Sequence, residues 1–383
     1  MNQTAMIPIC DKNAAADFVA ELSMPDYQPE VRRLLRVGVT LTPPEPFFDG
    51  SRVGMSGEAV YDILYAAGDG ELYSTKTAES YELSEAFRGS WGDGEPVLLC
   101  DVTPESLTSR VTAPRKLSIK CRLRGRMRGF AEVPIAEEMT YVDDLSSIKR
   151  LMGDAEYVRI LPSAVTKTEI TDELPTENSS LRVVSHTASV EVESVELGQD
   201  EAAVNGAVCL SILVCDEENE GRLSRLERKI PFSESVDAEG LSPACEAVAA
   251  GVCHSAEFEV GESAITCTLG ICLKVSASEL RRAEFARDIY STAVHSETVM
   301  KSYEVTAPER VFSGNLTASL YEPLESLGLE GCGEIIDVAA SAAVKNIEFD
   351  KRSWAVIGEV AMELLAKRDG ETKIKTKIKE LMV

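Results

Sequence analysis

Gly57-Glu58-Ala59-Val60-Tyr61-Asp62-Ile63-Leu64-Tyr65 decides the fold, because the same pattern recurs twice. Gly206-Ala207-Val208-Cys209-Leu210-Ser211-Ile212-Leu213-Val214 lies 149 residues on (206 less 57). Gly358-Glu359-Val360-Ala361-Met362-Glu363-Leu364-Leu365-Ala366 lies a further 152 on (358 less 206). In each copy alternate residues are apolar: Ala59, Tyr61, Ile63, Tyr65; Val208, Leu210, Ile212, Val214; Val360, Met362, Leu364, Ala366. The opposite face carries Asp62, Ser211 or Glu363 at one shared place. Side chains of a strand alternate between its two faces, so this pattern is a half-buried β-strand. The correspondence runs upstream without a gap, Leu34 to Gly57 lying over Val183 to Gly206 and over Ile335 to Gly358. Three matches in register over about 24 residues establish an internal repeat.

Turn sequences follow each strand, Gly68-Asp69-Gly70, Asn219-Glu220-Gly221 and Asp369-Gly370, and a second alternating run follows each turn. Each unit therefore contains a β-hairpin. A second half begins further on: Leu117-Ser118-Ile119-Lys120-Cys121-Arg122-Leu123 lies over Ser263-Ala264-Ile265-Thr266-Cys267-Thr268-Leu269. No further copy of that half occurs before Val383. The expected organisation is an N-terminal segment at 1–24, full repeats at 25–145 and 146–292, and a partial third at 293–383. Short helical turns are expected near Ala14–Leu22, Pro29–Leu35 and Ser242–Ala250. The expected architecture is otherwise all-β, as tandem sandwich-like units. The partial unit is expected to dock on the second repeat or to accept strands from another chain, which opens a route to self-association.

Composition narrows the function. The 383 residues carry 39 Lys and Arg against 64 Asp and Glu, a formal net charge of -25, with 44% hydrophobic and 6% aromatic residues. That apolar content supports packed cores and excludes wholesale disorder. No run of about 18 apolar residues exists to span a membrane as a helix. The negative balance repels nucleic acid and anionic lipid. The N-terminus lacks the basic and apolar regions of a secretory signal. Ten cysteines occur without a C-x-x-C pair, and several sit in apolar alternating runs. They read as small buried hydrophobes, with later oxidative cross-linking as the sharper alternative.

Lys116–Arg128 is the clearest local feature. Lys116, Lys120, Arg122, Arg124, Arg126 and Arg128 fall on even positions, and Leu117, Ile119, Cys121, Leu123 and Met127 on odd ones. This is one strand with an apolar face and a basic row. Six like charges on one face require something negative opposite them. Acidic neighbours on adjacent strands would serve, and so would an acidic partner, including a second copy of this acidic chain. No aromatic interleaving supports nucleic acid.

Catalytic constellations are poor. The three histidines, His186, His254 and His295, have no triad, phosphate-loop or zinc-motif context. His186 stands where the other repeats have Val37 and Val338, so it reads as structural. Cys253 and His254 are strand neighbours expected to point oppositely. Asp143-Asp144 reads as a turn. Asp216, Glu218, Glu220, Gly221 and Glu227 match EF-hand loop spacing, but glutamate is too long for the inner positions and the flanks are strands, so a solvated hairpin tip is expected. No catalytic residue, metal site or cofactor is assigned.

Leu22-Ser23-Met24-Pro25-Asp26-Tyr27-Gln28-Pro29-Glu30-Val31-Arg32-Arg33-Leu34-Leu35 resembles the opening of SPOCS-domain proteins of anaerobic spore formers. The Gly-x-Val-x-x-x-Ile-Leu strand, the segment Ile230-Pro231-Phe232-Ser233-Glu234 and the segment Asp288-Ile289-Tyr290-Ser291-Thr292 are similar to that domain as well. The resemblance covers the chain from about Leu22 onward and implies a SipL-like protein of spore coat assembly. It implies a non-enzymatic role, partners among coat and morphogenetic proteins, and deposition on the forespore from the mother-cell cytoplasm. In the SipL-like type a C-terminal LysM module binds the morphogenetic ATPase. Nothing after Leu365 resembles that module, and Lys373-Ile374-Lys375-Thr376-Lys377-Ile378-Lys379 reads as an exposed basic strand. The alternative from composition and fold is a glycan- or cell-wall-binding β-sandwich, against which the low aromatic content counts.

Overall fold

The computed structural model describes the chain apart from residues 1–2, 90–94, 136–147, 177, 220, 294, 296, 307–320, 322, 328, 331–333, 351–352, 369–370 and 383. The first repeat holds β1 (Gln3–Ser23), β2 (Arg33–Leu41), β3 (Glu45–Phe48), β4 (Arg52–Ala66), β5 (Leu72–Ala86), β6 (Val97–Ala113) and β7 (Lys116–Ile135). The second holds β8 (Ile148–Ile160), β9 (Ala164–Pro175), β10 (Leu181–Leu197), β11 (Glu201–Asp216), β12 (Arg222–Asp237), β13 (Glu246–Val260) and β14 (Ala264–Ser291). The third contributes β15 (Glu334–Asp350), β16 (Ser353–Arg368) and β17 (Glu371–Met382). The one described helical element is a single 3₁₀ turn at Leu324–Leu327.

The repeat strand is the centre of a sheet each time: β4 between β2 and β5, β11 between β10 and β12, β16 between β15 and β17. A second sheet lies over the first in repeats one and two. It is β1–β7–β6 in one, and β13–β14 with β8 and β9 in the other. The inward residues interdigitate as in a sandwich. Tyr61, Ile63 and Tyr65 of β4 pack with Leu117, Ile119, Cys121 and Leu123 of β7. Leu210, Ile212 and Val214 pack with Ile265, Cys267, Leu269 and Ile271 of β14.

In the first two repeats the shared glycine has a physical reason. The register sets Gly57 opposite Tyr81 and Gly206 opposite Phe232. The aromatic ring lies across the glycine, so a Cβ at Gly206 would stand 2.8 Å from Phe232 Cζ and collide with the Glu191 carbonyl oxygen. A glycine in a strand often marks such a close approach.

Three β-bulges coincide with the repeat. The register shifts between Leu34 and Arg36, between Val183 and Ser185, and between Ile335 and Asp337. A bulge inserts one extra residue and re-aims its side chain. Leu35 and Val184 are thereby buried on the face away from the sandwich core, in a cluster with Leu64, Leu72, Leu213, Cys215, Leu365 and Ile336. All three repeats feed this cluster. The strand contacts close a ring: β5 meets β10, β12 meets β15, and β17 meets β2. The residues after the bulges are Arg36, Ser185 and Asp337, and they meet at its centre. Arg36 Nη1 lies 3.2 Å from Asp337 Oδ2, Arg36 donates to Ser185 Oγ at 3.2 Å, and Arg225 Nη1 reaches Asp337 Oδ1 at 3.2 Å. A second three-way junction sits elsewhere. The Thr306 amide donates to Met6 O, and the Val158 amide to Thr306 O, each at 3.0 Å.

All three expected helical turns are corrected. Ala14–Leu22 lies in β1, paired with β7 from Ala14 opposite Gly125 to Leu22 opposite Leu117. Ala14, Ala16, Phe18, Ala20 and Leu22 face the core at period two. That burial outweighs the helical preference of alanine. Pro29–Leu35 is irregular until β2 begins at Arg33, because the Val31 and Arg32 amides donate to Pro114 O and Ala66 O. Ser242–Cys245 is a turn held by the Cys245 amide on Ser242 O, and β13 starts at Glu246. The segment before residue 25 is thus an integral strand of the first repeat's second sheet.

Candidate protein-binding surface

β7 is sequestered on one side only. Leu117, Ile119, Cys121, Leu123 and Met127 are fully buried in the first sandwich core. The alternation therefore turns Lys116, Lys120, Arg122, Arg124, Arg126 and Arg128 to the outer face, all exposed except the half-buried Arg128. The flanking strands supply carboxylates on the same face. Asp17 of β1 takes Lys120 at 2.8 Å and Arg122 at 3.3 Å. Glu105, raised at a bulge in β6, takes Arg122 at 2.9 Å and Arg124 at 2.5 Å. Asp11 takes Arg126 at 2.6 Å. Arg124 and Arg126 nevertheless keep 61% and 54% of their side-chain surface open, so their guanidinium groups remain reachable.

The electrostatics follow the geometry. The hydrogen bond from Arg126 holds the Asp11 carboxyl below its ordinary value, and Lys120, with Arg122, does the same for Asp17. Arg122 is raised by Glu105 and then by Asp17. Such exposed pairs add little to folding, since water and salt screen them. At the Lys120 end lies a shallow depression of about 360 Å³, lined by Val19, Thr108, Ser109, Arg110, Ser118 and Lys120. Val19 is 57% exposed there. Val19 and Arg110 are additions that sequence reasoning missed. The signal for Val19 was the period-two pattern of β1, obscured by its alanines.

The second repeat shows what the fold requires at these positions. The residues 146 further on (262 less 116) are Glu262, Thr266, Thr268, Gly270, Cys272 and Lys274. No basic row is needed to build the strand. Moreover, part of this face is covered in repeat two: Gly270 and Cys272 are buried, and Lys274 Nζ donates to Cys100 O of the first repeat at 2.9 Å. The same face of the same strand is a docking face in one repeat, and open and basic in the other.

The remaining candidates resolve as structural parts. His186 sits 3.1 Å from Lys76 Nζ and against Phe258, and burial, with Lys76 beside it, pushes its pKa down to about 4. His254 occupies a bulge between Cys253 and Ser255, so strict alternation lapses there. Cys253 Sγ nonetheless donates to Ser255 O at 3.2 Å. Asp216 caps its turn by accepting the Glu218 and Asn219 amides at 3.2 Å, and Gly221 takes φ 69°. Glu227 pairs with Arg225. The nine described cysteines are free thiols, and burial raises Cys100 and Cys267 to about 11, which makes them poor nucleophiles. Among the described residues no cluster of three His, Cys, Asp or Glu is placed to hold a metal. Nor is any described helix long and apolar enough to cross a membrane. Asp143-Asp144, Glu220, Asp369-Gly370 and Cys332 lie outside the described residues.

The family model for the SipL SPOCS domain matches residues 181–260, which is β10 through β13. No curated protein and no solved structure matches the chain. The matched span holds the bulged strand, the Gly206 strand with its hairpin, and the first strand of the covering sheet, so over residues 181–260 the chain is similar to the SipL SPOCS domain.

Proposed function

We propose that this chain is a structural or morphogenetic protein of the bacterial spore envelope, non-enzymatic, acting through protein–protein contacts during coat assembly. The SPOCS match supports the setting. The observation that carries the contact surface is the basic row of β7, which repeat two replaces without loss of the strand. Residues that a fold does not need, held open on a rigid strand, are candidates for recognition. Lys116, Lys120, Arg122, Arg124, Arg126 and Arg128 would meet an acidic coat or morphogenetic protein or another copy of this chain. Complementary charge of this kind mainly sets encounter rate and partner choice. The protein would be made in the mother cell and laid onto the forespore surface. Units divided after residues 145 and 292 are part of the same reading, with the expected first boundary at 25 moved back so that β1 belongs to the first unit. Binding of a glycan is the second reading, disfavoured by the 6% aromatic content.

The test is a fluorescent fusion followed through sporulation in the source organism, beside the Arg122→Gln/Arg124→Gln/Arg126→Gln variant. A ring around the forespore that the variant loses, at unchanged protein level, is the expected result. Diffuse signal for the native chain refutes the envelope role. A ring kept by the variant refutes the role of the basic row alone.

A further inference from the structure

Resting on the reading of the β7 row as a protein contact, we propose that the Lys116 end of this row docks the acidic end of β14 on a second copy of the chain, so that copies join head to tail. The row is not neutralised along its whole length. Asp17, Glu105 and Asp11 hold its middle. Lys116 and Arg110, the latter opposite Ser118, are exposed at its beginning, and among the described residues no carboxylate pairs with either. Glu21 of β1, on the other side of Ser118, is the acid nearest to them in register, so two cations stand against one carboxylate. Arg110 and Lys120 border the depression in which Val19 stands open.

Repeat two holds the opposite charge at the same place. Cys267 and Leu269 are buried in its core, so Thr266 and Thr268 face outward, as Lys120 and Arg122 do 146 residues earlier. Register sets Glu259 and Glu173 on either side of Thr266, and Glu257 beside Thr268. Thr171 flanks Thr268 on its other side, with the two hydroxyls 3.5 Å apart. Glu262, the counterpart of Lys116, stands at the turn into β14. All four glutamates are exposed, and among the described residues no cation pairs with them. Lys274, which repeat one does cover, lies eight residues further along β14 (274 less 266).

Equivalent faces of opposite sign select the form of the contact. A two-fold pairing would set basic against basic or acidic against acidic, and like charges across an interface are costly. A head-to-tail pairing sets each against its complement. Glu257 and Glu259 follow one another at a two-residue step of about 7 Å, the same step as Lys120, Arg122 and Arg124. Every pair formed this way keeps one free face of each sign, so the contact extends into a ring or an open filament. Each copy also carries a net charge of -25, which opposes approach at long range. At about 0.15 M salt that repulsion is screened beyond about 8 Å, while pairs withdrawn from water in a contact are screened much less.

The test is sedimentation velocity of the reduced full chain from about 5 to 500 µM in about 0.15 M salt, the range of weak contacts. Glu173→Gln/Glu257→Gln/Glu259→Gln removes the acidic face, and Arg110→Gln/Lys116→Gln/Lys120→Gln the basic one. All six residues are exposed, so both variants must melt at the temperature of the native chain. Where one does not, Glu259→Gln or Lys116→Gln takes its place. The native chain is expected to form species that grow past the dimer with concentration, and each variant alone to associate at least about tenfold more weakly. An equimolar mixture of the two variants then pairs again but stops at the dimer, because each supplies one intact face. A native chain that stays monomeric, association untouched by either variant, or a mixture that pairs no better than its components overturns the proposal. If the native chain is monomeric while Arg122→Gln/Arg124→Gln/Arg126→Gln still loses the forespore ring, self-docking falls and the role of the row toward a different acidic protein stands.

Discussion

Asp337→Ala removes the carboxylate on which the three-repeat ring closes. Asp337 and Arg36 are 9% and 13% exposed as side chains and 3.2 Å apart, so the pair is largely withdrawn from water. Deleting one partner of a buried pair costs about 3–5 kcal/mol, because the other charge is stranded. Two features lower that figure here. Arg36 keeps Ser185 Oγ at 3.2 Å, and Arg225, one third exposed, keeps Ser211 Oγ at 2.6 Å and Glu227 at 3.0 Å. The expected loss is therefore about 2–3 kcal/mol, a factor of about 30 to 150 in the ratio of docked to open third repeat. Asp337 belongs to the third repeat and Arg36 to the first, so the loss appears as local opening of β15 and β16 before global unfolding. Hydrogen exchange read by mass spectrometry on β15–β16 peptides measures it, with β10–β11 peptides as the internal reference. A cycle of Arg36→Ala, Asp337→Ala and the double substitution isolates the pair. A coupling under about 0.5 kcal/mol, or equal acceleration across all three sheets, would mean that the pair does not hold the ring, and the reasoning fails.

Three further outcomes are expected. Gly206→Ala forces a Cβ into the Glu191 carbonyl and the Phe232 ring and destabilises the second sandwich by about 2–4 kcal/mol in urea unfolding; a loss under about 0.5 kcal/mol would show that the aromatic cover is not why glycine stands there. His186 is depressed from 6.5 to about 4, so the unfolded chain binds its proton first. Stability is then lost as pH falls from about 6.5 toward 4, by roughly 2–3 kcal/mol, and His186→Val, the residue type of both sister repeats, flattens that limb of the stability profile. In NMR titrations Asp11 and Asp17 ionise below the ordinary 3.8, since the cations beside them favour the carboxylates. Their pairing thus persists above that value and is lost as pH falls through the depressed pKa. Arg126→Ala returns Asp11 toward 3.8 and leaves Asp17 unmoved.

What was legible in the sequence depended on range. The even–odd split of Lys116–Arg128 gave both the buried and the open face of β7, because alternation is a property of the strand itself. Which acids meet that row was not legible. Asp11, Asp17 and Glu105 reach it from two strands brought beside β7 by pairing, and Glu105 only through a bulge. β1 was misread because its inward positions are largely alanine, whose helical preference masks a period-two pattern.

The doublets Leu34-Leu35, Val183-Val184 and Ile335-Ile336 were present in the repeat but silent, since a bulge has meaning only when a partner strand fixes the register. The sequence by itself determined three copies of an alternating strand, the hairpin that follows it and their apolar faces, all set by local periodicity and by repetition. Only the tertiary structure decided that the three sheets close on one another. Arg36, Ser185 and Asp337 hold equivalent positions yet share no chemistry. Their complementarity exists between repeats, where no periodicity within a repeat can record it.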